Sequence, residues 1–333
     1  MQFLSDNAAS AHPAVWRAMQ AADDADTPYD GDTLSARLDA AFSDLFGRPC
    51  TALWAASGTA ANGLALAALV PPWAGVVCHA EAHVRTSECG APGFFTHGAA
   101  LIPAMGEGGK LTPQAVAEAI APIRPDVHQV QPHAISMTQA SECGLVHSPA
   151  EVAALGAFAR ERGLALHMDG ARFANAVAHL GCAPAAIACD AGVDVLSFGF
   201  VKNGGMGAEA LVCFDPEPAR VARLQRKRSG HLQSKGRYLA AQILALLGGG
   251  LWLDNARAAN AAAREIASGA AGRLLHPVEA NMVFLRLSGA ERAALRAQGF
   301  GFYDHGEDGA RIVTAWNSRP GHVAALARAI AAL

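Results

Sequence analysis

The sequence predicts an α/β protein: a large domain with a mainly parallel seven-stranded sheet flanked by helices, followed by a smaller C-terminal α/β domain. Three observations carry this expectation. Apolar runs of strand length alternate with amphipathic stretches through the first two thirds of the chain, the pattern of a parallel sheet covered on both faces. After Phe214 the pattern turns helical and reaches Gly248-Gly249-Gly250, which reads as a joint. Beyond that joint a second, shorter alternation of helix and strand begins. The expected units are therefore 1–247 and 248–333.

Taken in order, the strands are expected at 52–55, 76–78, 100–102, 134–137, 164–168, 193–198 and 210–214. Ser148 is a suitable N-cap for a helix opened by Pro149, with Val152, Leu155 and Ala159 on one face and Gly163 as its stop. Residues 216–247 read as helical. The second block reads as a helix at 253–268, a strand at 282–287, a helix at 289–298, a strand at 310–314 and a closing Ala-rich helix.

Composition narrows the function. The chain is 52% hydrophobic and 17% charged, which suits a well-buried and often oligomeric protein rather than a disordered one. A net charge of −3 offers no basic field for nucleic acid. The short basic run at 223–228 reads first as a solvated helix face. Seven scattered cysteines without a CxxC pair suggest reduced thiols and a cytoplasmic protein. Neither a secretory leader nor a membrane span is expected. No motif favours a metal.

The most informative stretch is His167-Met168-Asp169-Gly170-Ala171-Arg172, with Lys202 further on. Pyridoxal phosphate (PLP) needs an amine to hold it as a Schiff base and a carboxylate to keep its ring nitrogen protonated. Lys202 and Asp169 could supply both. Each follows an apolar run, which places them where parallel strands end, the usual ligand crevice of open α/β sheets. The chain has twenty-two arginines but only four lysines. Lys110 lies in a Gly-rich turn and Lys227 and Lys235 lie in or near the basic run, leaving Lys202 alone in a semi-buried setting. A buried lysine can lose its proton and become a nucleophile; arginine cannot.

Other groups leave two readings open. Ser57-Gly58-Thr59 at a helix start is either a phosphate site or an ordinary N-cap. His83, soon after a strand, is either a group that stacks on a cofactor ring or moves a proton, or a surface histidine. Arg172 could face the cofactor. Arg311 either binds a substrate carboxylate bidentately or is a salt-bridge partner.

Ser5-Asp6-Asn7, Tyr29-Asp30-Gly31-Asp32, 57–62, His83, Thr138-Gln139, 167–176, 197–205 and 309–316 agree in order and spacing with one family. Together they resemble the L-threonine aldolases, fold type I (aspartate-aminotransferase-like) PLP enzymes, and most closely the bacterial low-specificity, phenylserine-aldolase-like branch. The resemblance implies retro-aldol cleavage of L-threonine, L-allo-threonine and related β-hydroxy amino acids, among them L-phenylserine, to glycine and an aldehyde. It implies that Lys202 holds the cofactor, Asp169 pairs with the ring nitrogen, His83 stacks on the ring, and Gly58, Thr59 and Ser57 hold the phosphate. Ser5, Arg172 and Arg311 would clamp the substrate carboxylate. Tyr29, beside the substrate, and Arg228, beside the cofactor, would reach in from a partner subunit, in a homotetramer built from two dimers. Gln139 stands where many relatives carry a second histidine, which leaves His83, or a water it holds, as the expected base. The rivals are another fold type I enzyme, a β-eliminating lyase or aminotransferase, and a binding protein without catalysis.

Overall fold

The structure, a computed structural model, describes residues 1–270 and 272–333. Seven strands form the large sheet: β1 (Thr51–Ala55), β2 (Ala74–His79), β3 (Ala100–Ala104), β4 (Gln131–Thr138), β5 (Ala165–Gly170), β6 (Val195–Phe198) and β7 (Glu209–Cys213). Their order is β1-β7-β6-β5-β4-β2-β3. The four pairings from β6 to β3 are parallel, and β7 runs antiparallel to both neighbours. The expected mainly parallel seven-stranded sheet is thus present. Continuous burial of β2, β6 and β7 explains their unbroken apolar runs, since helices cover both faces.

The helix Pro149–Glu161 forms as expected. Ser148 Oγ accepts the Glu151 N–H while the Glu151 carboxylate accepts the Ser148 N–H, a capping box worth about 1 kcal/mol. The stretch 216–247 is two helices rather than one, Pro216–Arg228 and Arg237–Leu247. Between them Gly236 passes so close to Tyr29 that a β-carbon would lie 2.1 Å from the Tyr29 carbonyl oxygen. Nor is the basic run a simple solvated face. Arg226 is fully buried, its guanidinium 4.4 Å above the Trp54 ring and paired with Asp30.

A second sheet holds β8 (Met282–Arg286), β9 (Tyr303–His305) and β10 (Gly309–Val313) in the order β8-β10-β9, all antiparallel. Its apolar face packs with Ala263 and Ile266 of the helix Leu251–Ser268 and with Val323, Leu326 and Ile330 of the closing helix Pro320–Ala331. Phe3 joins this cluster, tied by its N–H to the Gly301 carbonyl and by its carbonyl to the Val313 N–H. Among the described residues one helical run, Arg237–Ser268, has the length and apolar character to cross a membrane. Half of its most apolar window is buried in the fold, and left-handed Gly249 and Gly250 interrupt it.

Candidate active site

The carboxyl ends of the parallel strands converge on a cavity of about 280 Å³. Asp169 is the next-to-last residue of β5, beside Thr138, the last residue of β4. The short helix His83–Thr86 follows β2, and the helix Gly58–Leu69 follows β1. Lys202 sits in a single turn, Val201–Asn203, just after β6. Gly199 lets that turn approach: a β-carbon there would lie 2.5 Å from the Ala171 carbonyl oxygen. The segment carrying Lys202 can therefore pass against the one carrying Asp169.

The Lys202 turn is anchored from below. Phe200 stacks on Phe198 at 4.5 Å, and Phe198 meets Trp252 edge-on at 5.3 Å. Burying each such ring contributes roughly 1.5–3 kcal/mol. Glu209, buried on β7, accepts the N–H groups of Phe200 and Val201. Burial raises the Glu209 carboxyl to about 7. Burial, and then the nearby Arg172 charge, push the Lys202 ammonium below its ordinary pKa. Both effects favour the neutral, nucleophilic amine.

Asp169 belongs to a network that runs across the cavity wall. Its Oδ1 accepts the Ala171 N–H at 3.0 Å, and its Oδ2 accepts from Asn62 Nδ2 at 3.0 Å. The same Asn62 nitrogen donates to Glu88 Oε1 at 2.9 Å, and Glu88 Oε1 lies 2.8 Å from His83 Nδ1. That hydrogen bond, against the effect of burial, holds the His83 pKa above its usual value. Beside Asp169 in the strand, His167 is held between Ser136 and Ser197 at 2.9 and 3.0 Å.

The two arginines differ. Arg172 is buried, and its Nε and Nη2 donate to the two carboxylate oxygens of Asp6 at 2.8 Å each. Asn281 Nδ2 donates to the same Asp6 at 2.9 Å. Arg311, half-buried on β10, has no carboxylate partner among the described residues; Nη2 meets Met282 Sδ at 3.5 Å. Its fork is therefore available to a ligand anion.

Of the residues singled out from the sequence, Ser5, Gly58, Thr59, His83, Asp169, Arg172, Lys202 and Arg311 all line this one cavity. Ser57 is exposed and does not line it; its Oγ instead accepts the Ala60 N–H as the helix cap. Tyr29 and Arg228 also lie outside it, Tyr29 beneath Lys227 at 4.5 Å and bridged to Lys235. The sequence reading missed Asn62, Glu88 and Glu142, which line the cavity, and Asp6, which grips Arg172. Asp6 and Asn62 fell within the motifs already noted, but nothing local marked what they would touch.

A family model described as beta-eliminating lyase matches residues 2–290. A low specificity L-threonine aldolase of a Pseudomonas species is 43% identical, over 100% of this chain and 97% of its own length. One from Pseudomonas aeruginosa is 45% identical, over 99% and 96%. The chain belongs to this lyase family, within its threonine aldolases. The threonine aldolase structure from Leishmania major superposes with a TM-score of 0.93 at 26% identity, covering 99% of this chain and 98% of that one. The threonine aldolases work with PLP, so membership makes this protein an enzyme and removes the reading of a binding protein without catalysis.

The residues present in this threonine aldolase fit the cofactor. The N–H groups of Gly58 and Thr59 stand at the open end of a helix and have no hydrogen-bond partner among the described residues. A β-carbon at Gly58 would meet only Glu209 Oε1, at 3.9 Å, so that helix end is open to an anion. Lys202 and Asp169 offer an amine and a carboxylate to the same cavity.

Proposed function

We propose that this protein cleaves L-threonine, L-allo-threonine and related β-hydroxy-α-amino acids, L-phenylserine among them, to glycine and an aldehyde. The observation that carries the reading is the convergence of Lys202, Asp169, His83, the Gly58 helix end and Arg311, which has no carboxylate partner among the described residues, in one cavity, in a chain matched end to end by threonine aldolases. When bound, PLP supplies a protonated ring that draws off the electron pair of the broken bond. Lys202 anchors it, Asp169 holds the ring-nitrogen proton, and Gly58 and Thr59 take the phosphate. Arg311, with Ser5, grips the substrate carboxylate. Arg172, fixed by Asp6, adds its charge to that end of the cavity. A carboxylate held there orients the amino acid so that the Cα–Cβ bond, rather than Cα–H or Cα–carboxylate, is the one poised to break. His83, whose pKa the Glu88 carboxylate raises, would stack on the ring.

The decisive experiment is product analysis with L-threonine, L-allo-threonine and L-phenylserine. Glycine with an aldehyde supports the reading; ammonia with a keto acid, or a transaminated product, sinks it. Lys202→Ala is expected to abolish both turnover and the absorbance of lysine-bound cofactor.

The proposed assembly is a cytoplasmic homotetramer of two dimers, with Tyr29 and Arg228 completing the partner's cavity. What supports it is that Tyr29 and Arg228 lie outside their own chain's cavity, with Arg228 exposed. Mixing inactive Lys202→Ala with an inactive Tyr29→Ala chain and re-assembling them should restore activity if subunits share sites. A monomeric, fully active protein in sedimentation would refute the assembly.

A further inference from the structure

We propose that Glu142 is the group that takes the proton of the substrate's β-hydroxyl, an assignment that rests on the aldol-cleavage reading above. Four carboxylates line the cavity or pair with a charged side chain that does: Asp6, Glu88, Asp169 and Glu142. Two are engaged at both oxygens, and the third is buried and engaged at one. Asp6 is engaged by both prongs of Arg172 and by Asn281. Asp169 accepts from Asn62 at one oxygen and from the Ala171 N–H at the other, while Glu88, its side chain fully buried, takes His83 and Asn62 both on Oε1 and has no partner for Oε2 among the described residues. Glu142 lines the cavity with a single side-chain hydrogen bond among the described residues, Oε1 to the His83 backbone N–H at 3.2 Å. Its other oxygen is free to accept.

Two alternatives come from the sequence. His83 Nδ1 is engaged by the Glu88 carboxylate, which raises the His83 pKa and leaves Nε2 as its one ring nitrogen without a partner among the described residues. Gln139 does not reach the cavity: its amide is buried, with Nε2 donating to the His147 carbonyl at 2.8 Å and Oε1 accepting the His147 N–H at 2.9 Å. The loop after β4 therefore presents Glu142, not Gln139, to the substrate. The charges that act around Glu142 are His83, Arg172 and Arg311, with Glu81 sharing its influence on the Cys143 thiol.

In the step, the hydroxyl O–H bond breaks and its proton passes to Glu142. The freed oxygen pair becomes the second C–O bond of the aldehyde as Cα–Cβ breaks. The Cα–Cβ pair goes to the α-carbon and is drawn into the bound cofactor. One proton then returns to the α-carbon, so cleavage to glycine and aldehyde is proton-neutral.

Glu142→Gln in the holoenzyme is expected to lower kcat for L-threonine by about 10²–10⁴-fold, the span of general acid–base catalysis, with Glu142→Asp recovering part of the loss. Cofactor content should be unchanged. Exchange of the glycine α-hydrogen with D₂O, followed by NMR, involves no hydroxyl and should stay close to the wild-type rate. Near-normal cleavage by Glu142→Gln overturns the assignment. So does parallel loss of cleavage and glycine exchange, which would make Glu142 a support for the whole site. Wild-type protein that exchanges glycine but cleaves no β-hydroxy amino acid would instead overturn the aldol reading, and this assignment with it.

Discussion

Arg172 and Arg311 share a cavity and a charge but differ in what already occupies their donors. The Arg172 fork closes on buried Asp6, so its first task is to neutralise that carboxylate. Burial alone would raise the Asp6 pKa; Arg172 and, more weakly, Lys202 reverse this and hold it low. Arg311 has no such partner among the described residues. Arg311→Lys is therefore expected to lower kcat/KM by about one to two powers of ten, from roughly 1.5–3 kcal/mol of lost charge-assisted bonding, with the melting temperature nearly unchanged. Arg172→Lys should lower thermal stability and activity together, because Asp6 loses a bidentate partner. Measuring melting temperature and kinetics on both variants checks the split, and an Arg311→Lys protein that melts early but turns over normally would refute it. At this scale Lys202 and Asp169 were legible because each follows its own apolar run. Asp6 and Asn62 were not, since their partners are 26 to 275 residues away and leave no local pattern, and Glu88, though its His83 partner is five residues off, meets Asn62 only across the fold.

The helix Gly58–Leu69 shows how one element divides two roles that its sequence merges. Ser57 spends its hydroxyl on the Ala60 N–H, which leaves the Gly58 and Thr59 amides without a partner among the described residues, open to the proposed phosphate. Ser57→Ala is thus expected to cost about 1 kcal/mol of stability through the lost cap, with PLP affinity changed little. Equilibrium unfolding of the apo protein beside a cofactor titration separates the effects; a large loss of PLP affinity at unchanged stability would return Ser57 to the phosphate. Elements with strong periodicity and caps, such as Pro149–Glu161, could be read in advance. The strand β9 could not, because its three residues are all exposed and carry no alternation. The break between Pro216–Arg228 and Arg237–Leu247 was equally hidden. It depends on the close pass of Gly236 over Tyr29, more than two hundred residues earlier in the chain.

Over the whole molecule, buried titratable groups tie stability to pH, and the sign follows from which state binds more protons. His147 and His167 are buried, and burial is the main cause that lowers each to about 4 from the ordinary 6.5. Between those values the unfolded chain binds a proton at each histidine that the folded chain refuses. Their stabilisation is present above 6.5 and is lost as the pH falls toward 4. Glu209 opposes them: its carboxyl is raised from 4.5 to about 7, so the folded chain holds the extra proton there, and that stability is lost as pH rises through this window. For these three groups the balance between 4.5 and 6.5 is one proton in favour of the unfolded chain. Replacing His147 removes one of the two opposing histidines without entering the cavity, which His147 does not line. In His147→Leu the rise of unfolding free energy with pH, measured between about pH 5 and pH 6, should therefore be shallower than in the wild type by about 1.4 kcal/mol per pH unit. An unchanged slope would mean that His147 takes up its proton equally in the folded and unfolded chains, and so is not held neutral by burial.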